Sequence, residues 1–91
     1  MKIMAVCGAG LGSSFMMEMN IKKVLKTLNI SADVDHSDLG SVTPDAADVF
    51  VMGRDIAYSA NLPENKLIIV NSIIDIKELE TKISDYFNKK Q

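Results

Sequence analysis

The chain holds one cysteine, Cys7, and Gly8-Ala9-Gly10-Leu11-Gly12-Ser13-Ser14 follows it directly. The thiolate is the nucleophilic form of cysteine, and it forms where positive charge or backbone N–H groups face the sulfur. Three glycines within five positions let the backbone turn several N–H groups toward one point, because no side chain intervenes and φ values that other residues resist are open to them. Cys7 is therefore the candidate catalytic nucleophile. Gly8, Ala9, Gly10, Leu11, Gly12, Ser13 and Ser14 are the candidate phosphate-binding residues. A lone cysteine is ordinarily a small buried hydrophobe, and only the loop after it points to chemistry.

The loop must be held by its neighbours. Ile3-Met4-Ala5-Val6 is apolar without alternation, as in a central parallel strand covered on both faces. From Phe15 to Leu28 the apolar residues Met17, Ile21, Val24, Leu25 and Leu28 fall on one face of a helix. The helix N-terminus would then meet the loop, and its unpaired amides and dipole stabilise a phosphate and a thiolate alike. Ser13 or Ser14 suits the N-cap, and Asn29 suits the left-handed residue that ends the helix. Ile30 to Ser37 alternates in the manner of an edge strand. Thr43-Pro44 suggests the cap and first position of a very short helix. Val49-Phe50-Val51-Met52 and Leu67-Ile68-Ile69-Val70 read as two further buried strands. Arg54 to Ala60 allows a short helix, and Asp75 with Glu78 resembles a capping box before a helix with the apolar stripe Ile76, Leu79, Ile83 and Phe87. Lys89-Lys90 complements that helix's C-terminal dipole.

This order, βαβαβαβα with short connections, predicts an α/β fold. Its expected form is a single domain over residues 1–91 with a doubly wound, four-stranded parallel sheet of order 2-1-3-4, helices on both faces, and the cysteine loop after the first strand. Ligands of such sheets bind outside the carboxyl ends of the strands where the winding reverses. The Cys7 loop and the Gly53-Arg54-Asp55 turn should flank that crevice.

Several chemistries compete for the loop. G-x-x-x-x-G-K-[ST] would bind a nucleoside triphosphate, but Ser13 is the sixth position from Gly8 and the loop has no lysine. G-x-G-x-x-G misses its last glycine by one place, although Asp33 and Asp35 lie near where a ribose acid would stand. A low-molecular-weight cysteine phosphatase uses C-x5-R-[ST], and Ser13 stands where its arginine would clamp the phosphoryl oxygens. A loop of neutral donors favours a carrier, which exchanges a phosphoryl group, over a hydrolase. The non-enzymatic alternative is an anion-binding α/β module with an inert thiol.

Composition narrows the field. A hydrophobic fraction of 47% with 24% charged residues is ordinary for a soluble globular domain. A net charge of −2 argues against nucleic acid as a partner, since neutralising phosphates takes clustered Lys and Arg. One cysteine makes neither an internal disulfide nor a structural zinc site and provides no resolving thiol for redox work. No metal and no cofactor is expected. Met1 to Cys7 is too short for a signal peptide, and no apolar run approaches the roughly 20 residues of a membrane span. A reducing cytoplasm fits best, with no direct membrane insertion.

Ala5-Val6-Cys7-Gly8-Ala9-Gly10-Leu11-Gly12-Ser13-Ser14 and the methionine-rich helix after it resemble an enzyme IIB component of the bacterial sugar phosphotransferase system (PTS), ascorbate type. Galactitol and lactose or cellobiose IIB groups share the layout. The resemblance implies a cytoplasmic phosphotransferase. Its Cys7 would take a phosphoryl group from the phosphohistidine of a IIA protein and pass it to a sugar, ascorbate by this likeness, held by the membrane-embedded IIC transporter. Association with the membrane would run through IIC.

Three further side chains are candidate partner contacts. Phe15 and Met19 project away from the buried helix stripe beside the loop, and exposed apolar residues there suit docking. Arg54 sits at the crevice, where it would meet a phosphate or a partner. His36, near the end of a probable edge strand, is expected to be structural.

Overall fold

The chain is described by a computed structural model that covers residues 1–7, 13–72 and 75–89. Residues 2–7 form β1 (Lys2–Cys7), and α1 (Ser13–Leu28) carries the chain back to β2 (Asp33–Asp38). β3 (Val49–Gly53) runs directly into α2 (Arg54–Ala57), a 3-10 turn (Glu64–Lys66) precedes β4 (Leu67–Val70), and α3 (Ile76–Lys89) closes the fold. Among the described residues the strands make one four-stranded sheet of order β2-β1-β3-β4. Every pairing is parallel, with Ala5 beside His36 and Val51, and Val51 beside Ile68. The expected doubly wound architecture is thus present.

Alternation along β1 divides the core. Ile3, Ala5 and Cys7 point to the layer that holds Met17, Ile21, Val24 and Leu25 of α1 and Leu79 and Ile83 of α3. Met4 and Val6 point to the other layer, with Phe50, Met52 and Ala47. Both faces of β1 and β3 are therefore covered, which explains why their sequences are continuously apolar. Helices lie on both sides, α1 and α3 on one and the single turn of α2 on the other.

The end of α1 follows from Asn29. Its φ of 60° is left-handed, and its N–H bonds Lys26 O at 3.2 Å while Ile30 N–H bonds Leu25 O at 2.9 Å. These are the two hydrogen bonds of a Schellman cap, and Ile30 packs on the same core cluster as Leu25, which accompanies that motif. α1 opens at Ser13, and the expected capping by Ser13 or Ser14 lies outside the described residues.

Four expectations need correction. No helix follows Pro44: the segment 39–48 is a chain of turns, with Ala46 N–H bonded to Thr43 O and Ser41 N–H to Asp38 Oδ1. Only four residues separate Thr43 from Asp48, where the chain already pairs with Lys2, so there is no length for a helix. Leu39, Val42 and Ala46 cover the second face in its place, and Lys66 Nζ pins the loop by donating to Pro44 O at 3.0 Å. The second strand begins at Asp33 rather than Ile30, because Ile30 is spent on the helix cap. Ile76 is exposed, unlike Leu79 and Ile83. At the start of α3, Asp75 Oδ1 accepts from Glu78 N–H at 3.1 Å. The Glu78 carboxylate takes the N–H groups of Asn71 and Ser72 at 2.8 and 2.9 Å instead of completing the box.

Candidate functional site

Cys7 is the last residue of β1, a central strand, and so lies at the carboxyl end of the sheet. Its neighbours in register are Asp38 on β2 and, one step past the Val6–Met52 pair, Gly53 on β3. The backbone of Cys7 is fixed on the β2 side by Leu39 N–H, which bonds Cys7 O at 3.0 Å. Its side chain belongs to the α1/α3 core layer and is 6% exposed. The candidate phosphate-binding residues Gly8, Ala9, Gly10, Leu11 and Gly12 lie outside the described residues. Ser13 and Ser14 open α1, so the helix N-terminus comes to the end of the strand that bears the cysteine.

Phe15 and Met19 are exposed, as is Met16 between them, and they form an apolar face on the first turns of α1. Arg54 begins α2 at the same end of the sheet. Its side chain lines a cavity of about 310 Å³ with Ala57, Tyr58, Ile69 and Lys82, on the β4 side of the fold. The expected crevice thus has Gly53 beside Cys7, while the Arg54 side chain opens toward the sheet edge.

The sequence reading missed Glu18. It is 8% exposed, and its carboxylate lies 2.5 Å from His36 Nδ1 and 2.9 Å from Lys22 Nζ. An ionised carboxylate only accepts, so His36 carries its proton on Nδ1. The bond from Lys22 and the one from His36 hold the Glu18 carboxyl below its ordinary pKa of 4.5, against the opposing effect of burial. The Asp35 carboxyl is likewise lowered, first by the His36 backbone N–H it accepts and then by Lys2. The Phe15 ring packs edge-on against His36 at 5.9 Å between centroids. Through the Glu18 contact His36 ties β2 to α1. Glu18 flanks the Met17 stripe, beside Leu25 on the helical wheel, and from the sequence alone such a Glu reads as solvated.

Glu18, Asp35 and His36 form a group among the described residues whose ligand atoms lie within 4.8 Å of one another. Lys22 and Lys2 already neutralise its two carboxylates, so the group is an ion-pair network rather than a vacant cation site. No helix among the described residues is long and apolar enough to cross a membrane.

A cysteine at the carboxyl end of the first strand of a parallel 2-1-3-4 sheet, with a helix opening at Ser13, defines the class of small α/β domain to which the chain belongs. Within it, the family model described as PTS system, lactose/cellobiose specific IIB subunit matches residues 2–85, and the chain belongs to that family. It is 31% identical over 70 residues to the ascorbate-specific PTS system EIIB components of Salmonella typhimurium LT2 and of Escherichia coli O157:H7, spanning 75% of this chain and 69% of each relative. It is also similar in fold to a low-molecular-weight protein tyrosine phosphatase from Bacillus subtilis, with a TM-score of 0.59, 16% identity and 98% of both chains covered.

Proposed function

We propose that this chain is a phosphoryl carrier of the sugar phosphotransferase system that works through a phosphocysteine at Cys7. The observation that carries the proposal is the coincidence of the family match over residues 2–85 with a cysteine at the carboxyl end of the central strand β1. The Cys7 thiolate attacks the phosphorus of a phosphohistidine on a IIA protein; the S–P bond forms, the P–N bond breaks, and the imidazole leaves. A sugar hydroxyl held by a IIC transporter then attacks the same phosphorus, forming O–P, releasing the thiolate and giving its proton to solvent or to a base of the transporter. Amides of residues 9–14 and the Ser13 and Ser14 hydroxyls hold the phosphoryl oxygens between the two steps. Phe15 and Met19 supply the apolar face on which the protein partners dock. Likeness to the ascorbate-specific components favours ascorbate as the sugar, and the chain would act in the cytoplasm and reach the membrane through IIC.

Incubation with phosphoenolpyruvate, the general phosphotransfer proteins and candidate IIA proteins, followed by peptide mass mapping, tests this. Phosphate is expected on the peptide containing Cys7 and is expected to be lost in Cys7→Ser; acceptance by that variant refutes the assignment. One observation favours a second reading, an anion-binding module with an inert thiol: Cys7 is 6% exposed, and burial disfavours a thiolate. Alkylation separates the two. A carrier's Cys7 reacts with iodoacetamide well below pH 8.5, the rough value for an unperturbed thiol, whereas an inert core thiol reacts only on unfolding.

A further inference from the structure

The two edges of the sheet are built differently. β2 has the sequence Asp33-Val34-Asp35-His36-Ser37-Asp38, and charges along an edge strand are a device against pairing with other chains. β4, the opposite edge, is Leu67-Ile68-Ile69-Val70, with no charge, no proline and Leu67 and Ile69 only half-buried. Its apolar run matches those of β1 and β3, although the strand order 2-1-3-4 expected from the sequence puts it at an edge. The structure leaves its outer side without a strand partner among the described residues. Along that side runs a cavity of about 370 Å³, lined by Leu67, Ile68 and Ile69 together with Glu64, Lys82 and Asp85. It shares Ile69 and Lys82 as lining residues with the cavity that Arg54 and Tyr58 line.

The charges around this groove are sorted by end. Arg54 and Lys82 stand with Ile69 toward the carboxyl end of β4, and the Tyr58 ring beside them is 86% exposed. Glu64 precedes β4, and Asp85 lies one turn further along α3, on the level of the Tyr86 hydroxyl that bonds Asn65 O. Among the described residues none of Arg54, Lys82, Glu64 and Asp85 forms an ion pair. An antiparallel strand carrying the same pattern brings an acidic end to the cationic end and a cationic end to the acidic one. A strand added in parallel brings like charges together.

We propose that the free edge of β4 is the interface for a second copy of this chain, the two β4 strands pairing antiparallel about a two-fold axis normal to the sheet. Such an axis is the isologous arrangement by which most homodimers close. It joins two sheets into one and keeps α3 beside its symmetry mate on the same face. Lys82 of one copy then faces Asp85 of the other, and Arg54 faces Glu64. With only four residues in β4, few backbone hydrogen bonds form, so association is weak and depends on concentration. β3 separates β1 from this edge, so the pairing does not cover the end of the strand that bears Cys7. The inference does not depend on the phosphoryl-carrier reading.

Sedimentation velocity over a roughly hundredfold range of concentration tests the association by mass action. Lys82→Glu and Asp85→Lys each place like charges across the axis and are expected to weaken dimerisation by about tenfold or more. An equimolar mixture of the two variants restores both contacts and is expected to dimerise as the unmodified chain does. Hydrogen exchange gives an independent readout, with added protection at high concentration confined to β4 and the facing side of α3. Both substitutions are on the surface, and unchanged circular dichroism spectra exclude misfolding as the cause. A monomer at every concentration overturns the proposal, as does a dimer that the single charge reversals leave intact, a mixture that fails to recover, or protection at another surface.

Discussion

Replacement of Glu18 measures how firmly the helix that opens at the loop is seated on the sheet. Its carboxylate is tied to two donors of different exposure: Lys22 is 57% exposed and one turn away on the same helix, His36 is 43% exposed and belongs to β2. A surface i,i+4 pair of the first kind is worth about 0.3–0.5 kcal/mol. A hydrogen bond to a charged group is worth about 1.5–3 kcal/mol where it is shielded, and the half-open position of His36 discounts this to about 1 kcal/mol. Glu18→Ala is therefore expected to cost about 1–2 kcal/mol, a little of it returned by the helix preference of alanine. For a domain of this size each kcal/mol lowers Tm by roughly 4–8 °C. Glu18→Gln keeps the shape and a neutral oxygen acceptor and is expected to lose about half as much.

The pH dependence of the same pair gives the sign. The Glu18 carboxyl is lowered in the folded protein from 4.5, first by Lys22 and then by His36. The native state therefore binds this proton less readily than the unfolded chain, and the extra stability is fully present above the unfolded value and lost as pH falls through the folded one. Thermal melts of the unmodified chain and Glu18→Gln should differ by a constant amount above about pH 5 and converge below it, where a protonated carboxyl resembles an amide. A difference that persists at the lowest pH, or a Glu18→Ala variant as stable as the parent, refutes the assigned clamp.

Other perturbations probe the rest of the scaffold. Phe50 is fully buried in the layer without a long helix, and Phe50→Ala should cost about 3–5 kcal/mol in urea unfolding; a loss below about 1 kcal/mol would mean that the loop 39–48 does not seal that face. Asn29 holds a φ of 60°, so Asn29→Gly should change stability by only a few tenths of a kcal/mol, whereas Asn29→Val should lose about 1–2 kcal/mol. Glu78 is held below its ordinary pKa of 4.5 by the N–H groups of Asn71 and Ser72. Its stabilisation is present above the unfolded value and fades as pH falls through the folded one, so Glu78→Gln should be less stable than the parent at pH 7 and indistinguishable from it in acid.

The legible parts of the fold were those in which one strong preference acts alone. Met17, Ile21, Val24 and Leu25 form a helical stripe whatever they pack against, and Asn29 ends a helix for reasons local to its own backbone. The failures came where a local signal met a tertiary limit. Thr43-Pro44 is a sound helix start, but the chain must reach β3 four residues later. The edge position of β4 was legible only through the expected strand order 2-1-3-4, because its apolar run looks like those of β1 and β3 and position in a sheet is not a property of the strand's own residues. Glu18 could not be singled out at all, because its partner His36 is 18 positions away and is brought to it by the parallel pairing of β1 with β2 under α1. For the site, Cys7 was placed by what surrounds it in sequence, and the structure adds its location at the end of a central strand and its burial.

The resemblance in fold to a tyrosine phosphatase at 16% identity sharpens the question of what makes a carrier. A fold shared at that identity is indifferent to whether a phosphoryl group is passed on or released to water. The difference must reside in the loop. A hydrolase has to stabilise the charge that builds on the phosphoryl oxygens as water attacks, for which a bidentate arginine is suited. A carrier has to avoid that very reaction while the group waits. On the proposed reading, Ser13, which stands in the sequence where the C-x5-R pattern calls for arginine, would be a neutral donor that holds the group without favouring its attack by water. A phosphorylated thiol at the buried Cys7 would then be shielded from bulk water until a partner docks and would survive longer than an open one. Burial of Cys7 therefore counts against a free-standing hydrolase more than against a relay, provided that docking on the Phe15 and Met19 face uncovers the sulfur.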